Sequence, residues 1–248
     1  MKHEDNLEYH ILKTINHAEK PIGATRLAVL LARDVDLNQS SIGRRLLAMD
    51  YEGKTQKVKR SGRILTPKGL ERLKELEKKF NMQEANIKFL DSLNIQGKDK
   101  IIQVLQARRG LEKESARLAA YNRKDEHIDM MQKILEEQEK NLREGKPVNL
   151  QDVEFHNLIA IASNNTVILN ALKLIRNESI YSPVLASLRI KAGGDVYYEH
   201  LEILEQIKRK DPEKAEQAMQ THIDRIINEF DSFFAILPAE KDKERETN

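Results

Sequence analysis

Three of the seven histidines in this 248-residue chain stand where they could act together with one aspartate. Asp152 and His156 are four residues apart, which on a helix places a carboxylate and an imidazole on one face. His200 lies 11 residues before Asp211 and His222 lies 11 residues after it. Asp211-Pro212 is itself a helix-start signal, so two helices folding back there bring both imidazoles to one level. One carboxylate and three imidazoles inside a helical bundle suit a borderline divalent ion: zinc, nickel or manganese. The chain has no cysteine, which excludes thiolate metal sites, thiol nucleophiles and disulfides together. By spacing alone a second reading stands beside this one, because a histidine on an apolar helix face is more often a core residue than a ligand. His3, His10 and His17 recur every seven residues without a carboxylate pattern and read as a solvated face, and His127 reads as surface.

The elements that must position these residues are helices. Apolar periodicity predicts them over 98–122, 125–144, 149–163, 165–191, 195–210 and 212–236, with Gly193-Gly194 and Asp211-Pro212 as punctuation. No alternating strand pattern interrupts them. The expectation is an all-α antiparallel bundle of about six helices.

The first 80 residues read differently. Leu7, Ile11, Leu12 and Ile15 mark an amphipathic helix over Asn6–Glu19, which Pro21-Ile22-Gly23 ends. Ala24–Arg33 is a second helix, with Leu27, Leu30 and Leu31 along its inner stripe. After a turn over 34–37, a third helix is capped by Asn38, Ser40 or Ser41 and faces inward through Ile42, Leu46, Leu47 and Met49. This order is a helix-turn-helix. The start of its last helix would offer Asn38, Gln39, Ser40, Ser41, Arg44 and Arg45 to base edges and phosphates. Residues 53–66 then predict a hairpin turning near Ser61-Gly62, followed by a helix capped by Thr66 with Pro67 at its first position. That hairpin is a wing, and its Lys57, Lys59, Arg60 and Arg63 would meet phosphates or the minor groove.

Charge follows the same division. Residues 1–80 carry 17 Lys+Arg against 11 Asp+Glu, whereas the remainder carries 25 against 29. A basic N-terminal part is the expected footprint of a phosphate-backbone binder, although a solvated surface looks similar on charge alone. No apolar run approaches the roughly 18–20 residues of a membrane span, and the charged N-terminus is unlike a signal peptide. The expected location is the cytoplasm, with no membrane partner.

Two resemblances sharpen this. Pro21-Ile22-Gly23-Ala24, Ser41-Ile42-Gly43-Arg44 and residues 62–69 resemble the winged helix of archaeal nitrogen-responsive repressors, the type named after ribonuclease R. Residues 108–112 and 116–120, Asp152-Val153-Glu154-Phe155-His156, Ala162-Ser163-Asn164-Asn165, residues 199–203 and residues 218–222 resemble, in order, the signatures of the FCD sensor domain. That domain is the C-terminal half of the FadR subfamily of GntR-type regulators. The resemblance implies that Asp152, His156, His200 and His222 are metal ligands and that Arg108 pairs with a carboxylate effector. The residues themselves leave a surface ion pair as the other reading of Arg108. Asn165 occupies a family position near the effector cavity. Gln106 stands where the family usually has glutamate, and Asn164 and Thr166 stand where it usually has glycine and proline. The third helix also lacks the serine-arginine start usual in GntR proteins, so the family's DNA half-site does not carry over.

The combined expectation is a mainly α protein: a winged helix-turn-helix over 1–80, a linker over 81–97, an FCD-like bundle over 98–237 and a charged tail over 238–248. Its function would be that of a homodimeric, ligand-responsive transcription regulator, not an enzyme. Its partners would be a double-stranded DNA operator and a small organic acid, with a divalent metal as cofactor. Two alternatives use the same residues: a metal-dependent hydrolase or lyase, since such a site can activate water, and a helical dimerisation module holding no metal.

Overall fold

The computed structural model describes residues 3–32, 39–93, 97–180 and 193–236. Among them are ten helices and one two-stranded sheet. The chain divides into two compact units, Met1–Asp91 and Ser92–Asn248.

In the first unit α1 is His3–His17, α2 Ala24–Leu31 and α3 Gln39–Tyr51, followed by β1 Thr55–Val58, β2 Gly62–Leu65 and α4 Pro67–Ser92. Ile11, Leu12 and Ile15 of α1 meet Leu27 and Leu31 of α2, Ile42, Leu46 and Met49 of α3, and Leu73 and Leu76 of α4 in one core. Two residues expected on inner faces lie outside it, Leu30 at 49% and Leu47 at 63% exposure. Each directly precedes or follows a buried leucine, and one step along a helix turns a side chain about 100° off the stripe. Helix α3 begins at Gln39, so Ser40 and Ser41 stand in its first turn instead of capping it. Asn38 and the expected turn over 34–37 lie outside the described residues.

The hairpin pairs Thr55 with Leu65 and Val58 with Gly62. Its turn closes where the Ser61 N–H donates to the Val58 carbonyl at 2.9 Å. Ile22 joins as an isolated bridge, exchanging backbone bonds of 3.0 and 2.9 Å with Arg63. This close approach explains Gly62: its φ is +126°, and a Cβ there would lie 2.4 Å from the Ile22 carbonyl carbon. Thr66 accepts from the Gly69 N–H at 3.0 Å and Pro67 opens α4, as its sequence predicts. That helix then continues through 81–92, where the sequence pattern is less regular.

The second unit comprises α5 Lys98–Asn122, α6 Asp125–Arg143, α7 Asn149–Ala162, α8 Thr166–Ile180, α9 Gly193–Lys208 and α10 Pro212–Ile236. The expected helix over 165–191 is described only to residue 180. Helices α5 and α10 run antiparallel, tied by Lys98–Asp231 (2.6 Å), Arg109–Asp224 (2.7 Å) and Lys113–Glu216 (3.0 Å). Ala116, Ala119 and Ala120 keep α5 slim where Met131, Phe155, Ile159, Ile203, Met219 and Ile223 pack around it. Two turns set the levels of the helices. Asp211 accepts from the Lys214 N–H at 3.1 Å to cap α10. Asn164 takes a φ of +55°, which asparagine tolerates where the family has glycine, and Asn165 caps α8 through the Val167 and Ile168 N–H groups, both at 3.1 Å. Among the described residues, no helix is long and apolar enough to cross a membrane.

Candidate metal centre and basic face

The α9–α10 turn does what the matched spacing predicts. His200 and His222 face each other with ring centroids 4.9 Å apart, and His156 of α7 lies 5.2 and 5.1 Å from them. Asp152, one helical turn before His156, completes the group. One candidate ligand atom from each of the four residues lies within 4.8 Å of all the others, and all four residues are buried. Asp152 Oδ1 is 3.8 Å from His156 Nε2 and 3.7 Å from His200 Nε2.

Each imidazole is held from behind by a different helix. His222 Nδ1 lies 2.7 Å from Glu199 Oε2 on α9, and His200 Nδ1 lies 3.1 Å from Gln138 Oε1 on α6. His156 Nδ1 is in contact with Glu112 Oε2 on α5. A protonated Nδ1 facing an oxygen leaves Nε2 as the lone-pair atom. None of the three Nε2 atoms has a hydrogen-bond partner. An unsatisfied buried polar atom costs about 1–3 kcal/mol, so three of them around one carboxylate need an explanation. A divalent cation held by Asp152, His156, His200 and His222 accounts for all three, and this oxygen and nitrogen set fits zinc, nickel or manganese.

The electrostatics agree with that donor set. Burial pulls His156 down, with Arg176 acting in the same direction against Glu112, to about 4. Burial, then His222 and His156, holds His200 well below the ordinary imidazole value. Both imidazoles are therefore neutral at neutral pH, the form that ligates a metal. Burial alone would raise Glu112, but Arg108, Arg176 and His156 outweigh it and keep the carboxylate ionised. Burial likewise opposes ionisation of Glu199, and His222 and Arg225 overcome it.

Arg108 is 1% exposed, which removes the surface ion-pair reading. Its Nε donates to Glu112 Oε1 at 2.7 Å, while its buried Nη1 and Nη2 have no hydrogen-bond partner. A buried guanidinium with its fork unused is suited to a carboxylate. Asn165, also named from the sequence, spends its side-chain oxygen on capping α8. Gln106 is exposed on α5. Sequence reasoning missed four residues of this centre: Glu112, Gln138, Arg176 and Glu199. Arg176 of α8 reaches Asp152 Oδ2 at 3.4 Å and Glu112 Oε2 at 3.5 Å. Two of them carried a signal: Glu112 stands four residues after Arg108 on the same helix, and Glu199 opens the 199–203 signature.

In the first unit the ten residues expected at DNA separate by contact. Ser40, Arg44, Lys57, Lys59 and Arg60 are exposed on α3 and the wing, and Ser41 is half-buried. Arg44 Nη2 lies 3.5 Å from Ser41 Oγ. Arg45 and Arg63 are engaged internally. Arg45 binds Glu8 at 2.9 Å and Arg63 binds Asp50 at 2.8 Å, because each faces a carboxylate on a packed neighbour. Glu8 also takes Lys54 at 2.6 Å and Arg72 at 3.4 Å. Burial raises its pKa, and Lys54 and Arg72 more than reverse that, so it lies below the usual carboxylate value. Asn38 lies outside the described residues, and so does the side chain of Gln39.

Comparison with known proteins agrees with both units. Residues 103–225 match the FCD domain and residues 9–73 match the ribonuclease R winged-helix domain. The HTH-type transcriptional repressor NanR of Escherichia coli (strain K12) is 27% identical over 130 residues, covering 52% of this chain and 49% of that protein. NanR of Salmonella arizonae is 28% identical over the same length and shares of both chains. The chain thus spans about half the length of the curated relatives it matches. Among solved structures, Streptococcus agalactiae GntR aligns with 91% of this chain and 97% of its own at 24% identity and a TM-score of 0.46. The chain belongs to the FCD-domain regulators of the GntR/FadR type, with an N-terminal winged helix.

Proposed function

We propose that this protein is a homodimeric, cytoplasmic, ligand-responsive transcription regulator. Its winged helix, residues 1–80, binds a double-stranded DNA operator; 81–97 link it to the sensor bundle of 98–237, and a charged tail follows over 238–248. Asp152, His156, His200 and His222 hold a divalent metal, and Arg108 takes one carboxylate of a small organic acid at the same centre. Asn165 lies in the turn between α7 and α8, where its cap sets the start of α8. A bound ion there would offer a Lewis-acid position for a carboxylate oxygen. The observation that carries the reading is the pairing of three partnerless Nε2 atoms with the two unused nitrogens of buried Arg108.

On the DNA side, Ser40, Ser41 and Arg44 with Asn38 and Gln39 read bases or phosphates, and Lys57, Lys59 and Arg60 neutralise phosphates. Arg45 and Arg63 act indirectly by holding α3 and the wing in place. Effector binding shifts the relative placement of the two winged helices, so the half-site spacing ceases to fit or comes to fit. The attached winged helix favours regulation over turnover as the use of the centre.

The test is metal content of the purified protein after mild dialysis, wild type beside His200→Ala/His222→Ala. About one equivalent per chain in the wild type, lost in the variant, is the expected result. No metal in either, even after loading with zinc, nickel or manganese, overturns the sensor reading.

A further inference from the structure

Glu112 divides its carboxylate between the two halves of the proposed sensor. Oε1 accepts from Arg108 Nε at 2.7 Å, and Oε2 is in contact with His156 Nδ1. Arg176 lies 3.5 Å from the same Oε2. Glu112 is 1% exposed, so no solvent screens one side from the other. We infer that Glu112 is a positioning residue that couples the effector arginine to the metal site through His156. This rests on the sensor function proposed above and adds the route by which its two parts communicate.

The physical basis is competition for one anion. Charge that Oε1 commits to the Arg108 guanidinium is withdrawn from the ionic contact that Oε2 makes with His156. A strong acceptor behind a ligating histidine orients the ring and raises its basicity as a ligand. An effector carboxylate on the free Nη1 and Nη2 of Arg108 draws that guanidinium away from Glu112. Glu112 then bonds more strongly to His156, and the site holds its metal more tightly. By reciprocity, metal binding favours the effector by the same factor. The other two histidines are backed by Gln138 and Glu199. No contact of either with Arg108 is seen among the described residues, so His156 is the one that carries the coupling.

The experiment measures zinc affinity of the full chain by competition with a chelating dye, in the wild type, Glu112→Gln, Arg108→Met and the double variant. A glutamine offers one acceptor oxygen, so it serves Arg108 or His156 but not both. Glu112→Gln should weaken zinc binding roughly 10- to 100-fold. Arg108→Met removes the competitor without touching a ligand. It should tighten zinc binding several-fold in the wild-type background and leave it unchanged in the Glu112→Gln background. Cobalt(II)-loaded wild type and Arg108→Met provide a second readout, since the Nδ1 proton of His156 should shift while those of His200 and His222 stay in place. This readout stands even if Glu112→Gln fails to fold. Equal effects of Arg108→Met in both backgrounds, or an unmoved His156 proton, overturn the coupling alone. A wild type that takes up no zinc overturns both the coupling and the sensor function beneath it.

Discussion

Both units bury a carboxylate on their first helix and surround it with cations, yet the two networks end differently. Glu8 of the winged helix has both oxygens taken, by Lys54, Arg45 and Arg72 from the α3–β1 connection, α3 and α4. Glu112 of the bundle bonds Arg108 through Oε1 and contacts His156 Nδ1 through Oε2, and several buried atoms here have no hydrogen-bond partner: Glu112 Oε2, Arg108 Nη1 and Nη2, and His156 Nδ1 and Nε2. Buried networks are expected to be closed, because each orphaned group costs stability. The first leaves Arg45 Nε as the one buried atom of its partners without a hydrogen bond among the described residues, and it is scaffold that locks α1 to α3, α4 and the base of the wing. The second has more such atoms, around the candidate metal ligands, and is the one that the proposed function assigns to a ligand.

The contrast can be broken or sharpened by three measurements, best read by hydrogen exchange, which reports each unit of the full chain separately. The largest effect should come from chelation. Metal at about 1,000 times its dissociation constant stabilises the folded state by roughly 4 kcal/mol, so its removal should raise exchange in α7, α9 and α10 and leave α1 and α3 unchanged. Equal loosening of both units would contradict the assignment of the second network to a ligand. Glu8→Gln should come next, at about 1–3 kcal/mol, since the partly exposed cations it strands recover some hydration. Exchange should rise in α3 and the wing, while zinc affinity holds.

An effect of similar size, and the most diagnostic, is with acid on the chelated protein. His156 has a folded value of about 4, below the 6.5 of a free imidazole, so the unfolded chain takes up that proton first. Its stabilisation is complete above pH 6.5 and is lost as pH falls from there toward 4, at roughly 1.4 kcal/mol per pH unit. Glu8 lies below its ordinary 4.5, so its contribution is intact above 4.5 and lost only as pH falls further. The bundle should therefore loosen between pH 6.5 and 4.5 while the winged helix stays protected. Simultaneous loosening of the two would show that these groups do not control acid stability.

Much of the fold was legible because apolar periodicity and caps are local. Thr66-Pro67 and Asp211-Pro212 open helices where expected, since a cap acts within one turn of its own residue. Leu30 and Leu47 depart from their expected faces because one step along a helix decides which side of the stripe a leucine takes. The convergence of Asp152, His156, His200 and His222 was legible for a special reason: two of them share a helix face and the other two straddle a turn at equal distances.

Two of the partners behind those residues were beyond the sequence. Gln138 and Arg176 approach the centre from two helices, and nothing local distinguishes them from the chain's other polar residues. The same limit hid from the sequence the ion pairs that Arg45 and Arg63 make with Glu8 and Asp50. Residue type and spacing determined which groups could ligate a metal and which helices would carry them. Packing between distant helices alone decided which nitrogens are already satisfied and which remain to bind, because a hydrogen bond depends on positions in space a few ångströms apart that sequence separation does not encode.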